Sequence, residues 1–416
     1  MTTEHHKIVI VGAGPAGCST ALWLARLCPN LAEHILVLEK ARHPRRKVCA
    51  GGLTFRATEM LARMGLSLNI PHVKINHIRL LFENHRLDIK RPNCMSIIRR
   101  THFDGMLCEA VKAAGIQVRE DEAAERIRFD GEECFVETPA SVYRARVVVG
   151  ADGSKGLTHR LLPGFARFPG VGLTTDTPEH QSDGSDFREG RVTVDFTCNA
   201  SGVPGYAWHF PFDDGERRGF NRGIYACSLN GPENHGNLIS MLRESLESRG
   251  VGMDGRVLGG YGAGYYRGRR LSRPSLLLTG DAAGGNLFTG EGIVQALRYG
   301  QLAAEEIARA FSARDFSFRF YTARVAASDL GRELADAGRM AREFYTEGPA
   351  LALPAMQADK KMRELVADYM AGVKSFRGIR RDLLGRMMAT SIKCGAPGFS
   401  TVWRLFMRRL FGPKPK

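Results

Sequence analysis

Apolar residues in this chain follow two patterns that occupy different stretches. Ile8-Val9-Ile10-Val11 is an unbroken apolar run, as expected of a strand buried on both faces. His34-Ile35-Leu36-Val37-Leu38, Val147-Val148-Val149 and Leu276-Leu277-Leu278 repeat the pattern. Between the first two runs, the stretch from about Pro15 to Leu27 predicts a helix. His77 to Ile89 instead alternates apolar and polar residues, which predicts a hairpin entering a second sheet. Val192 to Cys198, Tyr206 to Phe212 and Gly223 to Ser228 predict further strands, with turn residues at Asp183-Gly184 and Asp213-Asp214-Gly215. The remainder reads as helical, with breaks at Pro349 and near Gly395-Ala396-Pro397-Gly398. Interleaving these patterns predicts one discontinuous domain from 1–70, 95–160 and 270–312. A β-rich domain would comprise 71–94 and 161–269, and a basic helical region 313–416.

At 416 residues the chain exceeds the usual size of one compact core, so at least two domains are expected. No run is apolar enough to span a bilayer, and no signal peptide is visible. The nine cysteines show neither C-x-x-C nor zinc-site spacing, which fits free thiols in a reducing cytoplasm. The net charge of +15 is uneven. Residues 371–416 hold eleven Lys and Arg against Asp382 alone, two-thirds of the excess. Those charges are interleaved with Phe376, Ile379, Leu383, Met387, Trp403, Phe406 and Phe411. Such a stretch suits an interfacial helix on an anionic membrane, at the inner face. It equally suits a solvated basic face whose apolar side caps a domain. No element resembles a groove reader, so nucleic acid is not an expected partner.

Candidate chemistry begins at Gly12-Ala13-Gly14-Pro15-Ala16-Gly17, which joins the first strand to the first helix. Gly12 permits the tight turn, Gly14 lets backbone approach a pyrophosphate, and Gly17 lets the helix pack close to the strand. The helix N-terminus, with Ala16 in its first turn, would face the phosphates. Glu39, followed by Lys40, ends the second run where a carboxylate would bind ribose hydroxyls, favouring a free ribose over a 2′-phosphate.

Three further segments carry a resemblance. Val147-Val148-Val149-Gly150-Ala151-Asp152-Gly153 and Leu276-Leu277-Leu278-Thr279-Gly280-Asp281-Ala282-Ala283-Gly284, the latter followed by Gly290-Glu291-Gly292-Ile293, resemble the FAD-binding core of glutathione-reductase-like flavoproteins. The branch is that of p-hydroxybenzoate hydroxylase. Arg100-Thr101-His102-Phe103-Asp104 resembles that family's Arg-x-x-Phe-Asp element. The resemblance implies that Arg100 reaches the FAD and that Asp281 binds the ribityl chain. Gly292 and Ile293 would open a helix facing the flavin pyrimidine. It also implies the fold class: an α/β FAD-binding Rossmann-like domain, an inserted antiparallel β-sheet substrate domain and a C-terminal helical region.

Pro44-Arg45-Arg46-Lys47-Val48-Cys49-Ala50-Gly51-Gly52-Leu53 resembles the Lys-x-Cys-Gly-Gly-Gly-Leu element of geranylgeranyl reductases, with Ala50 in place of the first glycine. Gly205-Tyr206-Ala207-Trp208-His209-Phe210-Pro211 resembles their Tyr-x-Trp-x-Phe-Pro element, which lines the substrate cavity. Their later Gly-x-Gly is replaced here by Gly219-Phe220-Asn221, with Gly223 beyond. The resemblance implies saturation of prenyl carbon–carbon double bonds of lipids, quinones or pigments by reduced flavin. No separate nicotinamide domain is visible in the sequence, so NADPH would bind transiently, or a ferredoxin would serve as donor. An isolated alkene has no carbonyl to accept electron density, so a proton must arrive at one carbon as hydride reaches the other. Cys49 is the candidate proton donor, and Tyr206, Trp208 and Phe210 the substrate-binding residues. The faces of Tyr206 and Trp208 suit a developing cation. Cys49 also reads as a packing residue, and Trp208 as core. The alternatives are a flavin monooxygenase or halogenase on the same fold, and a membrane-associated flavin electron carrier to quinone.

Overall fold

In this computed structural model, residues 2–83, 85–163, 170–229, 237–253, 255–262, 264 and 268–394 are described. The apolar runs meet in one six-stranded sheet. Its order is Ser272–Arg273, Leu276–Leu278, Val147–Gly150, Ile8–Val11, Ile35–Leu38 and Gln117–Arg119. All neighbours are parallel except the first pair. The residues of Ile8–Val11, Ile35–Leu38 and Leu276–Leu278 are buried throughout, as unbroken apolar strands in a covered parallel sheet must be.

The helix Pro15–Leu27 starts and ends where the pattern predicts and packs against the long helix Ile293–Ala313. Gly300 makes their close approach possible, because a Cβ there would lie 2.6 Å from that of Ser19. Ser19 Oγ donates to the Leu297 carbonyl at 2.8 Å across the same contact.

The alternating segments form an eight-stranded sheet in the order Leu258–Gly262, Gly170–Thr177, Arg218–Cys227, Gly205–Asp213, Arg191–Asp195, His72–Phe82, His85–Ile98 and Gly52–Thr54. It is antiparallel except where Arg191–Asp195 pairs with His72–Phe82. This sheet takes in residues 52–54 and 95–98, which the sequence pattern places with the first domain. The short Gly-Leu-Thr strand gives no period-2 signal, so this crossing is invisible in the pattern.

A four-stranded sheet was also not foreseen. Thr2–His5 runs parallel to Ser141–Ala145, which continues to Glu133–Glu137 and Arg126–Asp130.

The helices Tyr321–Ala327, Asp329–Ala358, Lys360–Met370 and Phe376–Cys394 complete the described chain. The break expected at Pro349 is wrong, since Asp329–Ala358 runs through it. A proline inside a helix loses one N–H bond, at about 3 kcal/mol. Docking of the helix onto the large sheet opposes that cost: Leu353 and Met356 are buried against Ile75, Ile78, Leu80 and Val194. Asp359 then caps the next helix through the Lys361 and Met362 N–H groups at 2.8 and 3.3 Å. The second expected break, at 395–398, lies outside the described residues.

Candidate functional site

A cavity of about 1070 Å³ opens where the two large sheets and the C-terminal helices meet. It exceeds the usual range of single-ligand pockets, which leaves room for a large cofactor and a second molecule. Gly12, Gly14, Ala16, Glu39, Lys40, Arg100, Asp281, Gly292 and Ile293 all line it, as do Cys49, Tyr206, Trp208 and Phe210. Gly17 is the one predicted site residue that does not.

The three glycines of the first turn have different jobs. Gly12 has φ +109°, and a Cβ there would lie 2.5 Å from the Ala151 carbonyl oxygen. A Cβ at Gly17 would lie 1.9 Å from the Gly12 carbonyl oxygen. Both are required by the packing of strand, turn and helix. Gly14 faces the cavity, where a Cβ would meet only the end of Arg45, 3.6 Å away. The helix behind it has no side-chain cap, so its first N–H groups are free for an anion.

Glu39 is nearly buried, and its Oε2 accepts the Ala13 N–H at 3.0 Å. It thereby ties the end of the second strand to the glycine turn. Arg100 forms a two-pronged pair with Asp104, at 2.6 and 2.8 Å. Burial works against its charge, but Asp104 outweighs burial and raises its pKa further. Arg45 adds a second cation, 3.5 Å from Glu39 and 3.3 Å from Asp104. The Nε of Arg45 is buried without a partner. Desolvation, helped by Arg100 and Arg45, holds the Lys47 ammonium below the usual lysine range, with Asp281 acting against the shift. Sequence reading quoted Arg45 and Lys47 only within the cysteine motif. Their approach to Asp104 and Asp281 depends on how that loop folds back over the sheet.

The cysteine loop is held by backbone. Gly51 has φ +85°, and its Cβ would strike the Ile98 carbonyl oxygen at 2.1 Å. Ile98 N–H donates to the Gly51 carbonyl at 2.9 Å. The Gly51 N–H points at Cys49 Sγ, 3.3 Å away, and fixes the thiol at the cavity wall. Tyr206, Trp208 and Phe210 share one face of the strand Gly205–Asp213, as alternation requires. Trp208 donates its indole N–H to Asn221 at 2.8 Å, and Asn221 donates to Asp176 at 2.8 Å. Gly223 makes room for the indole, since a Cβ would lie 2.2 Å from it. The departure from Gly-x-Gly thus has a local reason: Asn221 anchors the tryptophan and Gly223 admits it. His209 points the opposite way, into a buried network with Arg222 and Asp183.

Sequence reading missed a tyrosine clamp on the loop before Gly290. Tyr225 donates to the Leu287 carbonyl at 2.8 Å, Tyr345 to the Phe288 carbonyl at 2.6 Å, and Tyr206 to the Thr289 carbonyl. Three successive carbonyls are therefore held by three elements distant in sequence. That clamp orients the turn that opens the helix Ile293–Ala313. Glu291, in this turn, accepts from Thr54 Oγ at 2.9 Å and from Gln295 at 3.3 Å. Desolvation raises its pKa, against those hydrogen bonds.

Beyond the aromatic strand the cavity is roofed by the C-terminal helices. Phe344, Met356, Met362, Tyr369, Leu383 and Met387 line it opposite Leu80, Phe82, Met95 and Val194. Most of this lining is apolar or aromatic, although Arg298, Glu333 and Lys374 also reach it.

A family model described as an FAD binding domain matches residues 5–202. The chain is 26% identical over 339 residues to digeranylgeranylglycerophospholipid reductase 1 of Methanothermobacter thermautotrophicus, covering 77% of this chain and 81% of that one. It is 26% identical over 329 residues to the menaquinone reductase of Mycolicibacterium smegmatis, covering 72% and 75%. Among solved structures, a geranylgeranyl bacteriochlorophyll reductase-like protein of Thermoplasma acidophilum superposes with a TM-score of 0.68 at 19% identity, over 92% of this chain and all of that one. The flavin-dependent brominase Bmp2 superposes with a TM-score of 0.66 at 18% identity, over 89% and 94%. The open cradle at Gly14, the uncapped helix behind it and the buried, partnerless Nε of Arg45 fit a bound dinucleotide. The chain is an FAD-dependent oxidoreductase similar to the digeranylgeranylglycerophospholipid and menaquinone reductases.

Proposed function

We propose that the protein saturates carbon–carbon double bonds of a prenyl chain carried by a lipid, quinone or pigment. The observation that carries this reading is the shape of the cavity. Its dinucleotide end shares one cavity with a largely apolar part under the C-terminal helices, and Cys49 and the Tyr206–Trp208–Phe210 face line the same cavity. A hydrocarbon chain gains roughly 0.8 kcal/mol per methylene buried against those apolar side chains. The names of the lipid and menaquinone reductase relatives point to substrates with such chains.

Bound FAD supplies hydride; the residues expected to hold it are Gly12, Gly14, Ala16, Glu39, Lys40, Arg45, Arg100, Asp281, Gly292 and Ile293, with Gly17 holding the turn itself. The rest is the work of the chain. Tyr206, Trp208 and Phe210 position the alkene and keep water from it. The ring faces of Tyr206 and Trp208 stabilise positive charge as it develops on the more substituted carbon. Cys49 delivers a proton from Sγ. The electron donor, NADPH or a ferredoxin, reaches the site transiently. The basic stretch 371–416 docks the protein on anionic membrane, because a prenyl lipid is nearly insoluble in water.

The test is anaerobic. Reduced protein mixed with geranylgeranyl-chain lipids should be reoxidised, and mixed with the fully saturated lipids it should remain reduced. Reoxidation only when oxygen is admitted would favour a monooxygenase or halogenase.

A further inference from the structure

We propose that Glu291 recharges Cys49 with a proton after each turnover, by way of the Tyr206 hydroxyl. The inference rests on the alkene-reduction reading and deepens it, since the thiol is left without a proton once it has acted.

Each reduction consumes a proton as well as a hydride. Hydride from the reduced flavin forms one C–H bond, the Cys49 S–H bond breaks to form the other, and the π bond is lost. A thiolate remains at Cys49. Its Sγ receives the Gly51 N–H at 3.3 Å, which steadies the thiolate but gives up no proton. The next turnover therefore needs an acid within reach.

The folded chain brings one there. Glu291 lines the same cavity as Cys49 and Tyr206. The Tyr206 hydroxyl donates to the Thr289 carbonyl, and a Cβ on Gly290 would lie 3.7 Å from its oxygen. Glu291 is the next residue along that turn. The Cys49 loop abuts the same aromatic face: Ala50 packs in the cluster that holds Tyr206, and a Cβ on Gly52 would lie 3.9 Å from the Phe210 ring. The Tyr206 phenol is buried, and after burial Cys49 and then Glu291 do most to push its pKa up. Coupled to both, the phenol passes a proton by taking one from Glu291 and giving its own to the thiolate.

Glu291 suits the role of source. The charged and titratable groups around it are Tyr206, Tyr369, Arg56 and Glu333. Arg56 is paired with Glu333 at 2.6 Å, and Arg298 pairs with the same carboxylate. Among the described residues Glu291 therefore has no ion-pair partner, and burial favours its neutral form. A carboxylic acid remains the stronger acid beside a thiol, with reference pKa values of about 4.3 and 8.5, so transfer to a thiolate runs downhill. The Glu333 side chain is 25% exposed, and solvent returns the proton to Glu291 from that side.

The test uses the full-length, flavin-loaded protein, kept anaerobic with excess dithionite and a prenyl lipid. Glu291→Gln can keep the hydrogen bonds but has no proton to give. Its first reduction should match the parent within about twofold, and later ones should be slower by about 10²-fold or more. Later turnovers of the parent should slow as pH rises through the folded pKa of Glu291, because only the protonated carboxyl donates, and those of the variant should not. Infrared spectra give a readout that needs no turnover. The carbonyl stretch of a protonated carboxyl, present in the parent and absent from Glu291→Gln, should titrate with a midpoint above the ordinary 4.5. Thr54→Val removes a hydroxyl that favours the carboxylate, so it should move both midpoints to higher pH. Three results would overturn the relay while leaving alkene reduction in place: later turnovers as fast in Glu291→Gln as in the parent, a first turnover slowed as much as the later ones, or a band that titrates at or below 4.5. A parent that reduces no alkene would overturn the alkene reading, and the relay with it.

Discussion

Cys49 and Glu291 are protonatable side chains that line the cavity. Cys49→Ala should slow reoxidation of the reduced protein by a prenyl alkene by about 10²–10⁴-fold, the usual loss when a positioned acid is removed. Flavin content should stay constant, because Cys49 Sγ receives only the Gly51 N–H. An unchanged rate would leave Cys49 a packing residue. Glu291 makes a different prediction. Its pKa is raised above the ordinary 4.5 by burial, so the fold favours the protonated form. The stability this contributes is present below about 4.5 and is lost as pH rises through the folded value. Glu291→Gln should therefore gain stability relative to the parent as pH rises, and denaturant midpoints at pH 4 and pH 8 measure it. A variant less stable at pH 8 than the parent would contradict the assignment. The sequence marks Cys49 by its motif, whereas Glu291 stands in the Gly290–Ile293 element with no role of its own. Its burial depends on Thr54 from the large sheet and Gln295 from the helix, which only the folded chain brings together.

At the level of elements, the glycine turn separates folding from binding. Gly17→Ala should destabilise the fold by about 1–3 kcal/mol or more, since its Cβ would sit 1.9 Å from the Gly12 carbonyl oxygen. Gly14→Val should fold and lose flavin, because its side chain would fill the cradle and strike no backbone. Far-UV circular dichroism and flavin absorbance of the two purified variants distinguish these outcomes, and a fully flavinated Gly14→Val protein would count against the cradle. The parallel sheet and first helix were legible because unbroken apolar runs and the Gly-x-Gly-x-x-Gly turn depend on local sequence. The strand Thr2–His5 was not, since Thr-Thr-Glu-His has no apolar period and pairs only because Ser141–Ala145 offers an edge. Pro349 misled for a related reason, as its local penalty is opposed by packing that the local pattern cannot report. The tyrosine clamp lay beyond reach as well, because Tyr206, Tyr225 and Tyr345 converge on one loop from three elements.

For the whole molecule, the C-terminal helices cover the large sheet and roof the apolar chamber. Ile379 is buried, and Leu383 and Met387 pack into the same core, so this part of the basic stretch caps the domain. Among the described residues no helix is long and apolar enough to cross a membrane. Trp403, Phe406 and Phe411 lie outside the described residues. If the stretch also docks on lipid, liposome sedimentation should show binding to anionic vesicles and little to neutral ones. Deletion from Gly398 onward should release the protein with FAD still bound. Equal binding to both vesicle types, or no loss on truncation, would make the stretch a cap alone. The central claim is that the chamber holds an alkene against the flavin. The most direct measurement is a single anaerobic turnover of the reduced protein with a prenyl lipid, followed by mass analysis of the lipid. The account predicts a gain of two hydrogens for each flavin reoxidised, and no such gain with the saturated lipid. A lipid that returns unchanged, or one altered only when oxygen is admitted and then by an added oxygen or halogen, would contradict it.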